Sequence, residues 1–379
     1  MKKTLALLLA LVMMLGIFAA CGKTEAPAET PAETPAEAPA EAPAEEPAEA
    51  PAEEPAAPVD DTTIIFSSTF SENETGGQII AHFKESLEAA TNGAIKVNVT
   101  YGGTLYGSPD ELDAVSNGAV QMVALGHNPH ADLLPLLCSI PDFAPDSPEN
   151  ALNYFNYVLF ENEASSAALK AEAEAANVKY LNVIAGGANT FIANFEYSDL
   201  ASLAAGSASF GNMEAAKFEA LGFTVEAVLP WDYYSAFDTG LIDASQMGST
   251  PLYSMSIYEV APYWMYDNTY TAGNFFTVNL DWWNGLSAAT QDAIQAAATE
   301  TEEYSIQLYL DALATEADNL VAKGATLIEM SDADFETWWS AIMESKKTDA
   351  MANAETNGNV ADCEAVLNAA AEFTGYTFK

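Results

Sequence analysis

The stretch HNPH places His127 and His130 three residues apart, a pairing that suggests a metal ion. Pro129 breaks any helix that would align the two rings, and no cysteine is near, so the stretch reads as a loop without metal. A second stretch, AAGSASFG (204–211), sets two serines among small residues. It lacks the Gly-x-Ser-x-Gly spacing of a nucleophile elbow and has no evident His and Asp partners, so a secreted hydrolase is the weakest reading. Acids number 55 in 379 residues. At that density a pair of carboxylates says nothing about acid–base catalysis, and no catalytic residue is assigned. The informative stretch is LPWDYYSAFDTGLIDA (229–244), where Trp231, Tyr233 and Tyr234 sit between a proline and a short helix that stops at Gly240. With Phe210, Trp264 and Tyr270 these rings form a set able to stack on a ligand or hold an ammonium, at about 0.5–2 kcal/mol per cation–π contact. The competing reading is core packing, since Tyr233 and Phe237 share one helical face while Tyr234 and Asp238 share another. Trp231 and Tyr234 are the two best placed to face a cleft.

Those residues need a scaffold, and the hydrophobic periods supply one. TTIIFSS (62–68) reads as a buried strand, and Ile79, Ile80, Phe83 and Leu87 fall at helical spacing before Asn92-Gly93 stops the helix. AIKVNVT then alternates as a half-buried strand, Ser108 caps a second helix, and a third strand covers Val120 to Leu125. The order β, α, β, α, β predicts an α/β region with a largely parallel sheet. Further on come a helix at 163–176, a strand at 178–184, a helix at 213–221 and a strand at 223–229. From Ala288 to Val321 runs a long alanine-rich helix that one break could divide. Asp232 can N-cap a helix from Tyr233 to Thr239, with LIDA (241–244) as the next strand. That puts the aromatic stretch where a strand ends and a helix begins, the usual ligand edge of an open α/β sheet.

Composition excludes several partners. All 12 basic residues are lysine, and residues 62–379 hold 43 acids against 9 lysines, so no basic stripe exists to neutralise nucleic-acid phosphates. Cys138 and Cys363 have no CxxC spacing; a disulfide between them and two buried thiols are both open. The first twenty residues join two lysines to an apolar run, the layout of an export signal. With Cys21 they resemble a bacterial lipoprotein lipobox, apart from Phe18 where that box prefers leucine. Lipid on Cys21 would hold the chain on the outer face of the cell membrane without spanning it. Residues 22–61 repeat proline every fourth position from Pro27 to Pro55 with Ala and Glu between, a disordered stalk reaching on the order of 100 Å. About 318 residues then remain, enough for two lobes.

Three ordered segments resemble the solute receptors of TRAP transporters, the DctP family. They are TNGAIKVNVTYGGTLYGSPDELDAVSNGAVQMVALG, EALGFTVEAVLPWDYYSAFDTGLIDA and TVNLDWWNGLSAATQDAIQAAATE, and together they span nearly all of residues 62–330. The resemblance implies the type II periplasmic binding protein fold, two α/β lobes joined by crossing strands and the long helix. Lobe I would take residues 62–186 and 273–312, lobe II residues 187–272 and 313–379. It implies a monomeric extracytoplasmic receptor, without cofactor or chemistry of its own, that passes a solute to TRAP permease subunits. An alternative with the same fold is a receptor that reports occupancy to a membrane sensor kinase. The resemblance also places His127 at a strand end facing the cleft, as a polar ligand contact.

The departures from the family bear on the ligand. Where family members grip a carboxylate with arginine, this chain has Ala208 in LAAGSASFGN and Asn189 in GGANTF, and where they carry a contacting asparagine it has Met247 in DASQMG. An arginine fork makes two charge-assisted hydrogen bonds of about 1.5–3 kcal/mol each. An unpaired carboxylate in a closed cleft would instead cost several kcal/mol. Lys217, the only lysine of residues 187–272, falls at a helical spacing that turns it to solvent. The ligand is therefore expected to be neutral or cationic, or otherwise not an arginine-clamped acid, with His127, Asn189, Ala208, Phe210, Trp231, Tyr234 and Met247 as its candidate contacts.

Overall fold

The computed structural model describes residues 58–126, 130–210 and 215–379, and in it the first five elements form in the expected order. They are strand β1 (Thr62–Ser67), helix α1 (Thr75–Ala90), strand β2 (Ile95–Thr100), helix α2 (Ser108–Ser116) and strand β3 (Met122–Gly126). Strands β2, β1 and β3 pair in parallel. Ile79, Ile80, Phe83 and Leu87 on α1 pack against Ile64, Phe66, Ile95 and Val97, each buried side chain stabilising by about 1.5–3 kcal/mol. Beyond α1 the chain reverses through Asn92 and Gly93, both left-handed at φ 51° and 76°.

The chain then crosses repeatedly between two sheets. Strand β4 (Phe143–Pro145) leads into helices α3 (Pro148–Asn156) and α4 (Glu163–Ala175), and β5 (Val178–Tyr180) returns to the first sheet. The second sheet is built from β6 (Ala188–Ala193), β7 (Ser207–Ser209), helix α5 (Ala215–Glu219), β8 (Thr224–Val225), helix α6 (Tyr233–Asp238), β9 (Ala244–Gly248), helix α7 (Ser249–Ser254) and β10 (Tyr263–Thr271). Strand β11 (Asn274–Asn279) completes the first sheet in the order β2-β1-β3-β11-β5. Helix α8 (Ala288–Ala322) precedes β12 (Thr326–Ile328), which gives the second sheet the order β12-β10-β6-β9-β7-β8, with β4 paired to β10. Helices α9 (Asp332–Asn357) and α10 (Val360–Thr374) end the fold.

Several boundaries shift from expectation, each for a local reason. The strand at 223–229 ends at Val225 because the Ser209 hydroxyl accepts from Val228 N and donates to Val228 O, standing in for the sheet ladder. LIDA is not strand up to Ala244, because Leu241 and Ile242 donate back to Ala236 O and close the preceding helix. Helix α8 runs unbroken for 35 residues from the Ser287 cap. Asp60, placed in the stalk by composition, accepts from Ser287 N (2.7 Å) and Thr290 Oγ1 (2.8 Å), so the folded part begins before residue 62. Helix α10, grouped with the second lobe on the sequence, buries Cys363, Val366 and Leu367 in the same cluster as Phe155 and Leu169 of α3 and α4. Cys138 and Cys363 form no disulfide.

Candidate functional site

Loops from both sheets converge on a cavity of about 600 Å³. Phe70, Asn73 and Glu74 contribute from the turn between β1 and α1, and Thr271 and Asn274 flank the crossing from β10 to β11. Helix α7 gives Ser249 and Thr250, and α8 gives Tyr309. Gly187 lines the wall beside the Tyr309 ring, where a Cβ would reach ordinary contact distance at 3.4 Å. Among the described residues Glu74 is the one carboxylate of the lining, and it is exposed. Among the described residues, no lysine or histidine lines it.

The electrostatics are one-sided. Burial and the Glu74 charge push the Tyr309 phenol up to about 12, so it stays protonated and able to donate. Behind the wall, the buried Glu316 carboxylate accepts from Tyr266 OH (2.8 Å) and from Oγ1 of the cavity-lining Thr250 (3.1 Å). The Ser249 hydroxyl is fully buried beside the Tyr266 phenol without a hydrogen bond of ordinary length. These groups can accept from, or donate to, a polar solute, while the Phe70 and Tyr309 rings offer it apolar faces.

The expected contacts scatter around this cavity. Asn189, Ala208 and Phe210 lie buried on one face of the second sheet; Asn189 donates to Thr269 Oγ1 (3.1 Å), and Ala208 and Phe210 join the cluster of Phe191, Phe218 and Trp338. Asn189 and Met247 are sequence neighbours of the lining residues Ala188 and Gly248, and Met247 packs against the cluster around Trp264. Trp231 is 72% exposed, and Tyr234, 40% exposed, donates its hydroxyl to Glu259 Oε2 (2.9 Å). Neither lines the cavity. Tyr233 takes the core role, buried with its hydroxyl donating to Ser209 O (3.2 Å). His127 and Cys21 lie outside the described residues. Asp232 makes no capping bond, since it already belongs to a tight turn at φ −99°, ψ −2° and lacks the extended backbone of an N-cap.

Lys217 is the clearest correction. It is 2% exposed rather than turned to solvent. Helix α5 is a single turn and a half clasped between the sheet and α9, so it has little outward face, and Lys217 lies over the Phe143 ring at 5.2 Å. Its ammonium is 3.9 Å from Asp142 Oδ2, while Lys346 Nζ is 3.0 Å from Asp142 Oδ1 and donates to Cys138 O. The lysine is thus buried and engaged by an acid, and it is absent from the cavity lining. On the same sheet face, burial outweighs the donors from Thr269 and Gln246 and raises Asp267 to about 6. Sequence reasoning missed Phe70, Ser249 and Tyr309; the paired glycines 76–77 and 186–187 were the available signal for close approach at this junction.

A solute-sized cavity bordered by two α/β sheets with repeated crossings defines a two-lobed binding protein. Residues 66–352 match the family described as bacterial extracellular solute-binding protein, family 7, DctP. The chain is 26% identical over 264 residues to the C4-dicarboxylate-binding periplasmic protein DctP of Rhodobacter capsulatus, covering 66% of this chain and 74% of that one. It is 25% identical over 272 residues to the ectoine/5-hydroxyectoine-binding periplasmic protein UehA of Ruegeria pomeroyi, covering 69% and 76%. Its fold matches a TRAP periplasmic solute-binding protein of Desulfovibrio desulfuricans with bound sn-glycerol-3-phosphate at TM-score 0.68, with 17% identity over 84% of this chain and 99% of that one. The chain belongs to this DctP family of extracellular solute-binding proteins, and its architecture is the type II periplasmic binding protein fold.

Proposed function

We propose that the chain captures one small solute in the cavity between its sheets and delivers it, chemically unchanged, to the membrane subunits of a TRAP-type permease. Lipid on Cys21 and the proline-rich stalk would tether this receptor at the outer face of the membrane; among the described residues no helix is long and apolar enough to cross a bilayer. The solute in this reading is neutral or cationic. The observation that carries it is the lining itself: a carboxylate, hydroxyls, amides and two aromatic rings and, among the described residues, no lysine or histidine to meet an acid. The inward Lys217 does not alter this, because Asp142 engages its charge away from the lining. Of the sequence candidates, Asn189 and Met247 are retained as sequence neighbours of the lining residues Ala188 and Gly248, while Ala208 and Phe210 serve the core of the second sheet and Trp231 and Tyr234 are not retained as contacts.

Native mass spectrometry of the freshly purified full-length chain tests this. A single small molecule should ride with the folded protein and be recovered unaltered after denaturation. A mass that changes with incubation would mark an enzyme, and a protein that carries and binds nothing would end the receptor reading.

A further inference from the structure

Resting on the receptor reading, we infer that the solute is a cation, a primary or quaternary ammonium, seated between Glu74 and the wall that Glu316 backs. Three independent features of the cavity agree. First, Glu316 is 5% exposed and is satisfied by two hydroxyl donors, with no lysine or histidine paired to it among the described residues. A carboxylate withdrawn from water without a counter-ion is costly, and a nearby positive charge relieves that cost. Second, Glu74 adds a further negative charge in the lining itself, close enough to the Tyr309 phenol to act on it. Third, the Phe70 and Tyr309 rings border the cavity, and aromatic faces attract a desolvated ammonium. A carboxylate solute would meet the like charge of Glu74, with that of Glu316 behind the wall, and among the described residues no lysine or histidine in the lining. A neutral solute would leave both acids without a counter-charge. An ammonium answers both, with the buried Ser249 hydroxyl of the lining as a further oxygen acceptor.

Titration calorimetry of the full-length chain with choline, putrescine, uncharged glycerol and succinate, alongside the charge of whatever molecule copurifies, tests the assignment. The expected result is an ammonium compound bound by the natural chain, at least tenfold weaker binding in Glu74→Gln, and none in Glu74→Lys. Glu74 is exposed, so these variants should keep the natural far-ultraviolet circular dichroism and thermal midpoint. Glu316→Gln should weaken the same compound while retaining that spectrum. Copurification of an uncharged solute whose affinity is indifferent to Glu74→Gln would overturn the inference and leave the receptor reading standing. An acid that binds the natural chain, or binds more tightly in Glu74→Gln than before, would overturn the cation as well. A chain that neither carries nor binds any small molecule would sink the receptor reading itself, and this inference with it.

Discussion

At the scale of single residues, the most consequential placement is Asp142 between two buried lysines. Lys217 and Lys346 come from α5 and α9, so one carboxylate joins two helices to the segment that enters β4. Removing one partner of a buried ion pair costs about 3–5 kcal/mol, because the other charge stays buried without compensation. Asp142→Asn should therefore lower the unfolding free energy by about that amount, read as a reduced urea midpoint, whereas a change below about 1 kcal/mol would show the lysines to be solvated. Trp231 gives the opposite expectation. At 72% exposure and outside the cavity lining, Trp231→Ala should change solute affinity less than about twofold, since isolated surface substitutions usually act within about 0.5 kcal/mol. The sequence showed an aromatic cluster and an absence of arginine; it did not show which rings turn inward. Tyr233 and Tyr234 are adjacent, and only the position of α6 against the sheet sends one to Ser209 and the other to Glu259. Lys217 is buried despite its helical spacing for the same reason, since spacing locates a face but not what covers it.

At the scale of elements, periodicity was a reliable guide wherever an element was long and amphipathic or capped. The β1 to β3 unit and the alanine-rich α8 stand where their patterns put them. Short strands were overextended in expectation, because side-chain bonds such as Ser209 to Val228 replaced ladder pairing. The turn between β1 and α1 was legible only as a loop, yet it supplies Phe70, Asn73 and Glu74 to the cavity. Gly77 fixes how that turn folds back: a Cβ on it would overlap the Ser71 carbonyl oxygen and crowd Glu72. Gly77→Ala should shift residues 71–76, cost about 1–3 kcal/mol in overpacking, and weaken solute binding together with stability. Parallel thermal melts and calorimetry check both effects; a variant with unchanged affinity would detach this turn from the site. Pairs of glycines separated by more than a hundred residues meet at one cavity, which no local pattern reveals.

At the scale of the whole molecule, buried acids govern how stability responds to pH. Burial raises Glu111 from its ordinary 4.5 to about 8, Glu172 and Glu302 to about 7, and Asp267 from 3.8 to about 6. An acid whose folded pKa exceeds its unfolded value binds its proton more tightly when folded. Its contribution to stability is therefore fully present below the unfolded value and is lost as pH rises through the folded one. All four act in the same direction, over a window from about 4 to about 8. Self-repulsion adds to the trend, since the chain carries 55 acids against 12 lysines and gains negative charge across that range. The thermal midpoint should accordingly fall steadily from pH 5 to pH 8.5, and added salt should soften the part due to surface repulsion more than the part due to burial. Glu111 is 2% exposed, with one oxygen lacking a hydrogen-bond partner among the described residues, and its window reaches furthest into the alkaline side. Replacing it as Glu111→Gln should reduce the decline from about pH 5 to pH 8, and proportionally most between pH 7 and pH 8, where the other three carboxyls have already ionised. Calorimetric scans in matched-salt buffers across that range measure the slope directly, and a midpoint that rises with pH would show that these carboxyls are charged and solvated in the folded protein.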